Sequence, residues 1–328
     1  MKPTDFSKYL TQYLPVECGV SQNTVQAYSQ TFMIFLKYMS EEECIKAENL
    51  TLQDITKQRV TGFLDWLEKE RRCGVSTRNA RLATLHSFFR FIQYRDLNGL
   101  IRWQEILSVR FKKSYSPEMA YLTVEGLKLL LKQPDITARY GRRDLALLGL
   151  LYDSGARVQE LINITPADLR FDEIATVRLQ GKGRKVRIVP LSSTQVQNLK
   201  RYMTENGLFE SQNAAHPIFT NPQNNRLSRV AVLNIVKKYA ETARKSSPDL
   251  IPDKISCHTF RHSKAMHMLE ADINLIYIRD FLGHVSTTTT EVYARASSKK
   301  KADALQKLNP SIVPNEKTSW HKDGQLVP

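Results

Sequence analysis

Only one part of this chain alternates apolar and polar residues as a half-buried strand requires. Ala175-Thr-Val-Arg-Leu and Val186-Arg-Ile-Val-Pro flank the turn Gly181-Lys182-Gly183-Arg184 and read as a β-hairpin. Elsewhere apolar residues recur at three- and four-residue steps. Val25, Tyr28, Phe32, Phe35 and Leu36 follow Ser21 and Asn23 as candidate caps. Residues 58–70 align Val60, Phe63, Leu64 and Leu67, and residues 76–94 align Leu82, Leu85, Phe88, Phe89 and Ile92 behind a polar start at Arg78, Asn79 and Arg81. Helical spacing returns at 123–132, 142–152, 193–205, 228–245, 258–270 and 275–282. The expected fold is mostly α with a small β-sheet. Residues 109–117 have no period and carry Lys112 and Lys113, so they are expected to form an extended basic linker. A chain of 328 residues divided there makes two domains.

Charge narrows the partner. The chain holds 48 Lys+Arg against 33 Asp+Glu, a formal net charge of +15. Residues 1–107 contribute 14 basic against 12 acidic groups, so the remainder carries 34 against 21 and most of the positive field. Such a surplus favours a polyanion, either nucleic acid or an anionic membrane surface. The longest apolar run, Leu145 to Tyr152, is far shorter than the ~20 residues of a membrane span. The N-terminus has no apolar signal core, and Cys18, Cys44, Cys73 and Cys257 lack paired spacing. These features lead to the expectation of a cytoplasmic protein with reduced thiols, no membrane attachment and no zinc finger.

Three stretches in the second half carry chemistry: Asp153-Ser-Gly-Ala-Arg157-Val-Gln-Glu160-Leu161, His258-Thr-Phe-Arg261-His262, and Leu282-Gly283-His284 with Tyr293 nine residues after His284. With the Gly-Lys-Gly turn they supply two arginines, histidines, a lysine and a tyrosine. Arginines bind phosphate oxygens bidentately and suit a phosphoryl transition state. A tyrosine can attack phosphorus and hold the product as an ester, while histidine and lysine exchange protons with the attacking and leaving oxygens. No carboxylate pair accompanies them, as a metal-dependent nuclease would need. The set describes metal-free strand cleavage through a phosphotyrosine.

Each member alone admits a plainer reading. Arg157 could simply pair with Glu160 three residues on, and Lys182 could be a solvated turn lysine. His258 and His262, four apart, could ligate zinc, although Arg261 between them opposes a cation and no third ligand is evident. His267 reads as a packed or surface histidine, and His284 as a helix-end residue. Order and spacing make the case.

By those motifs, in that order, the chain resembles the tyrosine recombinases of the phage-integrase and Xer type over about residues 5 to 310. The resemblance implies a helical, SAM-like core-binding domain (1–108), the linker (109–117), a mixed α/β catalytic domain (118–312) and a mobile tail (313–328). It implies Arg157, Lys182, His258, Arg261, His284 and Tyr293 as catalytic residues, with Glu160 orienting Arg157. Thr24 and Tyr28 resemble the opening helix of the core-binding domain. Arg78, Asn79 and Arg81 resemble its DNA-facing helix, and Lys112, Lys113 and Arg184 join the expected DNA contacts. The implied reaction cuts and rejoins DNA through a 3′-phosphotyrosyl bond with no cofactor, metal or ATP. The implied partner is duplex DNA with an inverted-repeat core site, held as two duplexes by a homo-tetramer whose C-terminal helix (302–309) docks on a neighbour. A related recombinase could take part, and the bacterial nucleoid is the expected location. Integration or excision of a mobile element, transposition included, is the expected setting, with Xer-type dimer resolution as the alternative. A catalytically silent accessory protein and a nicking-closing enzyme are the other readings. No arm-site domain is expected ahead of the first helix. Lys264 and Arg295 depart from the family pattern, where an apolar or aromatic residue and often a histidine stand.

Overall fold

The computed structural model describes residues 3–114, 119–181, 183, 185–284 and 286–296. The expected C-terminal helix (302–309) and tail (313–328) lie outside the described residues. The chain divides into two compact units, Met1–Ser116 and Pro117–Pro328.

The first unit is all-helical. It opens with α1 (Pro3–Lys8) and a π-helical stretch, Tyr9–Glu17, followed by α2 (Gln22–Glu41), α3 (Lys57–Lys69), α4 (Val75–Ile92) and α5 (Leu100–Leu107). Hydroxyls set two of the starts: Ser21 Oγ accepts from the Thr24 N–H and Thr56 Oγ1 from the Arg59 N–H. The apolar stripes read from the sequence meet in one aromatic core, with Phe32, Phe35, Phe63, Phe88 and Phe89 all buried. Helix α5 was not legible in the periodicity. It places Trp103 flat against Phe89, with ring centroids 5.6 Å apart.

The expected linker is docked along much of its length. Val109 joins the first unit's core, and the Phe111 ring meets His86 edge-on at 5.5 Å. The Arg110 carbonyl accepts from Arg78, and Asn79 bonds both the N–H and the C=O of Lys112. A polar backbone with no helix or strand partner of its own is satisfied by side chains from the start of α4.

The second unit contains α6 (Val124–Leu131), α7 (Arg139–Asp153), α8 (Val158–Asn163), a sheet, then α9 (Ser193–Glu205), α10 (Arg229–Ser246), α11 (Cys257–Glu270), α12 (Leu275–Leu282) and α13 (Thr288–Ala296). The sheet is antiparallel in the order β1 (Leu169–Arg170), β2 (Thr176–Gln180), β3 (Val186–Pro190), with Val177 opposite Val189 and Gln180 opposite Val186. The hairpin therefore forms where alternation indicated it. Its inward residues Val177, Leu179 and Val189 pack with Leu147, Leu150 and Leu151 of α7 and Val232 and Val236 of α10. A smaller apolar cluster joins Ala265, Met266 and Leu269 of α11 to Ile278, Leu282 and Tyr293. Among the described residues no helix is long and apolar enough to cross a membrane.

Candidate active site

Helix α7 ends at a sharp turn that presents Arg157. Gly155 takes φ +55°, a left-handed conformation that favours glycine, and Ser154 Oγ donates to the Leu150 carbonyl. Arg157 then caps α8. Its N–H donates to Glu160 Oε2 at 2.8 Å and its Nη1 to Oε1 at 2.9 Å. Glu160 is 5% exposed and takes two more bonds from Arg187 on β3, at 3.1 and 2.8 Å. Burial alone would raise the Glu160 pKa, but bonds from Arg187 and Arg157 outweigh it and hold the carboxyl below its usual range.

Arg261 ties the separate motifs together. Its Nη1 donates to the Gly155 carbonyl and its Nη2 to the Leu282 carbonyl, both at 2.6 Å. One buried guanidinium thus joins the turn before Arg157 to the end of α12. Burial, with Arg157 and Arg187 nearby, lowers its pKa to about 10. Gly283, at φ +65°, terminates α12 and sends the chain to His284. His284 Nδ1 lies 3.0 Å from Thr290 Oγ1 on α13, and the same helix returns Tyr293 to the site. The Tyr293 ring lies 6.3 Å from the His284 ring and nearly parallel to it.

Tyr293 is 3% exposed, and its hydroxyl lies 3.1 Å from Nδ1 of His262. Burial raises its pKa against the opposing pull of Arg261 and Arg157, so at neutral pH it is a protonated phenol. Burial and surrounding positive charge push His262 and His284 down to about 4, leaving both imidazoles neutral. His258, on the exposed side of α11, is lowered by partial desolvation and by Arg261 and Arg157.

The structure thus gathers Arg157, Glu160, His258, Arg261, His284 and Tyr293 around one site. Lys182 and Arg184 lie outside the described residues. Gly181, just before Lys182, backs onto the site, since a Cβ there would sit 3.1 Å from Glu160 Oε1. Among the described residues no cluster of His, Cys, Asp or Glu has a metal-binding arrangement. Two clamping residues were not singled out from the sequence, Arg187 and Thr290. His262, read only as a zinc alternative, is the imidazole that meets the tyrosine. The departure at Lys264 has a structural reason: its ammonium pairs with Asp153 at 3.2 Å and lies over the Tyr152 and Phe281 rings.

In the first unit the expected DNA contacts divide. Arg78 is 6% exposed and bonds Asn79 and the Arg110 carbonyl, so it braces the interior and offers no free surface cation. Asn79 holds Lys112, and Arg81 donates to Thr31 Oγ1 at 2.8 Å. Tyr28 packs on the aromatic core, and Thr24 sits in the first turn of α2. Lys112 pairs with Glu68, while Lys113 is exposed.

Comparison with known proteins gives the same architecture. The family model "Phage integrase family" matches residues 120–300, and "Phage integrase, N-terminal SAM-like domain" matches residues 8–95. The tyrosine recombinase XerC of Syntrophus aciditrophicus (strain SB) is 31% identical over 92% of this chain and 96% of its own length. The solved structure of the Tn1549 transposon integrase with transposon right end DNA has the same fold, with a TM-score of 0.70 at 16% identity over 93% of this chain and 99% of that one. The XerH recombinase bound to its difH substrate superposes with a TM-score of 0.68 at 20% identity over 88% of this chain and 80% of that one. The chain belongs to the phage integrase family and is a tyrosine site-specific recombinase.

Proposed function

We propose that this recombinase cleaves each strand by attack of Tyr293 on a backbone phosphate, giving a 3′-phosphotyrosyl bond and a free 5′-hydroxyl. The observation that carries the reading is Arg261 bridging the carbonyls of Gly155 and Leu282, which draws Arg157, His284 and Tyr293 toward one point. Arg157 and Arg261 hold the non-bridging oxygens, with Arg157 oriented by Glu160. Lys182 protonates the departing 5′ oxygen, and His258 and His284 support the phosphate and its proton transfers. The ester conserves bond energy, so rejoining to a partner strand uses neither ATP nor metal.

The substrate is duplex DNA with an inverted-repeat core site, contacted by both units and held by a tetramer on two duplexes. Exposed Lys113 suits the phosphate backbone, as do Lys112 and Arg81 once freed of their internal partners. The setting we favour is integration and excision of a mobile element, which the name of a relative 30% identical over 92% of this chain, the putative integrase/recombinase y4rC of Sinorhizobium fredii, supports. The XerC relative supports the other reading, resolution of chromosome or plasmid dimers. Genomic DNA flanking the gene distinguishes them: element ends favour the first, a lone housekeeping locus the second. For the chemistry, Tyr293→Phe should bind the core site yet form no SDS-resistant protein–DNA adduct, and wild-type cleavage should persist in EDTA. An adduct on the Tyr293→Phe variant overturns the assignment.

A further inference from the structure

Among the described residues the Tyr293 hydroxyl has one hydrogen-bond partner, Nδ1 of His262, at 3.1 Å. The rings stand 5.7 Å apart at an interplanar angle of 56°. The His258 ring lies 6.1 Å from the His262 ring, and the contact with the Tyr293 hydroxyl is made by His262. The contact is sheltered, because Tyr293 is packed with Ala265, Met266, Leu269, Ile278 and Leu282. A buried phenol cannot shed its proton to bulk water. The acceptor has to lie within hydrogen-bond reach of it, directly or through one water.

We infer that His262 is the proton acceptor for Tyr293, its Nδ1 taking the phenolic proton as the tyrosine oxygen bonds to phosphorus. The inference rests on Tyr293 being the nucleophile. In cleavage the O–H bond of Tyr293 breaks and its oxygen forms the O–P bond. The proton passes to Nδ1, and the P–O5′ bond breaks with its electron pair leaving on the 5′ oxygen. That oxygen takes its proton from a separate acid, assigned above to Lys182. Rejoining runs the same steps backward, and His262 returns the proton to the tyrosine oxygen. A neutral imidazole protonated at Nε2 presents the required lone pair at Nδ1.

The charges around the pair favour transfer once DNA arrives. His258 and Arg261 on α11 oppose protonation of His262 in the free protein. His284, just after α12, and Tyr293, on α13, also face it. A phosphodiester anion bound between the guanidiniums offsets their charge and makes His262 a stronger base. The base is thereby poised mainly when a phosphate is there to attack.

The test separates proton transfer from positioning. His262→Asn keeps a hydrogen-bonding side chain near the Nδ1 position but cannot accept a proton. His262→Gln is the second variant should the first fail to fold, judged by its melting curve and core-site binding. On a nicked substrate that traps the adduct, His262→Asn should form it about 100-fold more slowly. Replacing Tyr293 with a difluorotyrosine, whose phenol is more acidic, should recover at least tenfold of that loss. The same replacement in His258→Asn should recover little. Equal rates for His262→Asn and wild type, or no greater recovery than in the His258 variant, overturn the inference. Tyr293→Phe run alongside keeps the two readings apart. An adduct on that variant removes the nucleophile assignment itself, whereas loss there with an unaffected His262 variant removes only the base.

Discussion

Arg187 reaches from β3 to grip both carboxylate oxygens of Glu160, at 2.8 and 3.1 Å, while its Nε donates to the Phe281 carbonyl at 2.9 Å. It thereby links the hairpin strand that follows Lys182, the carboxylate behind Arg157 and the end of α12 before His284. A Cβ on Gly283 would come within 3.0 Å of the Arg187 side chain, so the strut and the turn are in close contact.

Removing one member of that grip should be expensive. Arg187 and Glu160 side chains are 11% and 4% exposed, so either left alone is a poorly solvated charge. Glu160→Ala should lose about 3–5 kcal/mol of stability in urea unfolding. Glu160→Gln should lose less yet slow adduct formation, because one amide cannot satisfy two guanidiniums. Unchanged stability in Glu160→Ala would mean that the pair contributes nothing to the fold.

Two glycines in left-handed conformations should respond differently to alanine. At Gly155 a Cβ would meet Leu282 Cδ2 at 2.9 Å and Phe281 Cε1 at 3.3 Å, with φ at +55°. Gly155→Ala adds steric displacement to backbone strain and should cost about 2–3 kcal/mol, with slower cleavage through the shifted carbonyl that holds Arg261. Gly183, at φ +73° with open space around it, should cost only about 1 kcal/mol as alanine. Thermal melts of both variants check the contrast, and equal shifts would refute it.

These contacts also mark where sequence reading stops. Helices with long apolar stripes were legible because a core must cover them: Phe63, Leu64 and Leu67 on α3 are buried as their spacing requires. Helix α5 offers only Trp103 and Ile106 as buried residues, too few to establish a period. Motif order pointed to residues that the fold brings near one another. The contacts that assemble them were hidden, because Arg261 holds two backbone carbonyls, which leave no side-chain signature. Arg187 finds its carboxylate 27 positions away, and charge alone cannot name such a partner. At Arg78, basic character suggested a surface that packing has buried.

Acid should weaken the folded state in a defined window. His262 and His284 stand near 4 in the folded protein against about 6.5 when unfolded, so the unfolded chain binds more protons between those values. Their stabilisation is fully present above about pH 6.5 and is lost as pH falls toward 4. Each contributes a slope of up to about 1.4 kcal/mol per pH unit. Glu160, lowered despite its burial, adds a further loss below the usual carboxylate range. Urea midpoints should therefore drop between about pH 7 and pH 5, and less so in His284→Asn. A flat profile would contradict the neutral, buried imidazoles.

The last prediction concerns Lys182, which stands between Gly181 and Gly183 in the hairpin turn. Gly181 abuts the Arg157–Glu160 pair, and a Cβ on Gly183 would meet nothing within 4 Å. If Lys182 is the general acid, Lys182→Ala should cleave ordinary DNA about 100-fold or more slowly. A substrate with sulfur in place of the bridging 5′ oxygen has a leaving group that needs no proton, and on it the variant should approach the wild-type rate. His262→Asn should remain slow on the sulfur substrate, because its defect lies on the attacking oxygen. Equal defects of Lys182→Ala on both substrates would make Lys182 a phosphate ligand, and the leaving oxygen would need another acid.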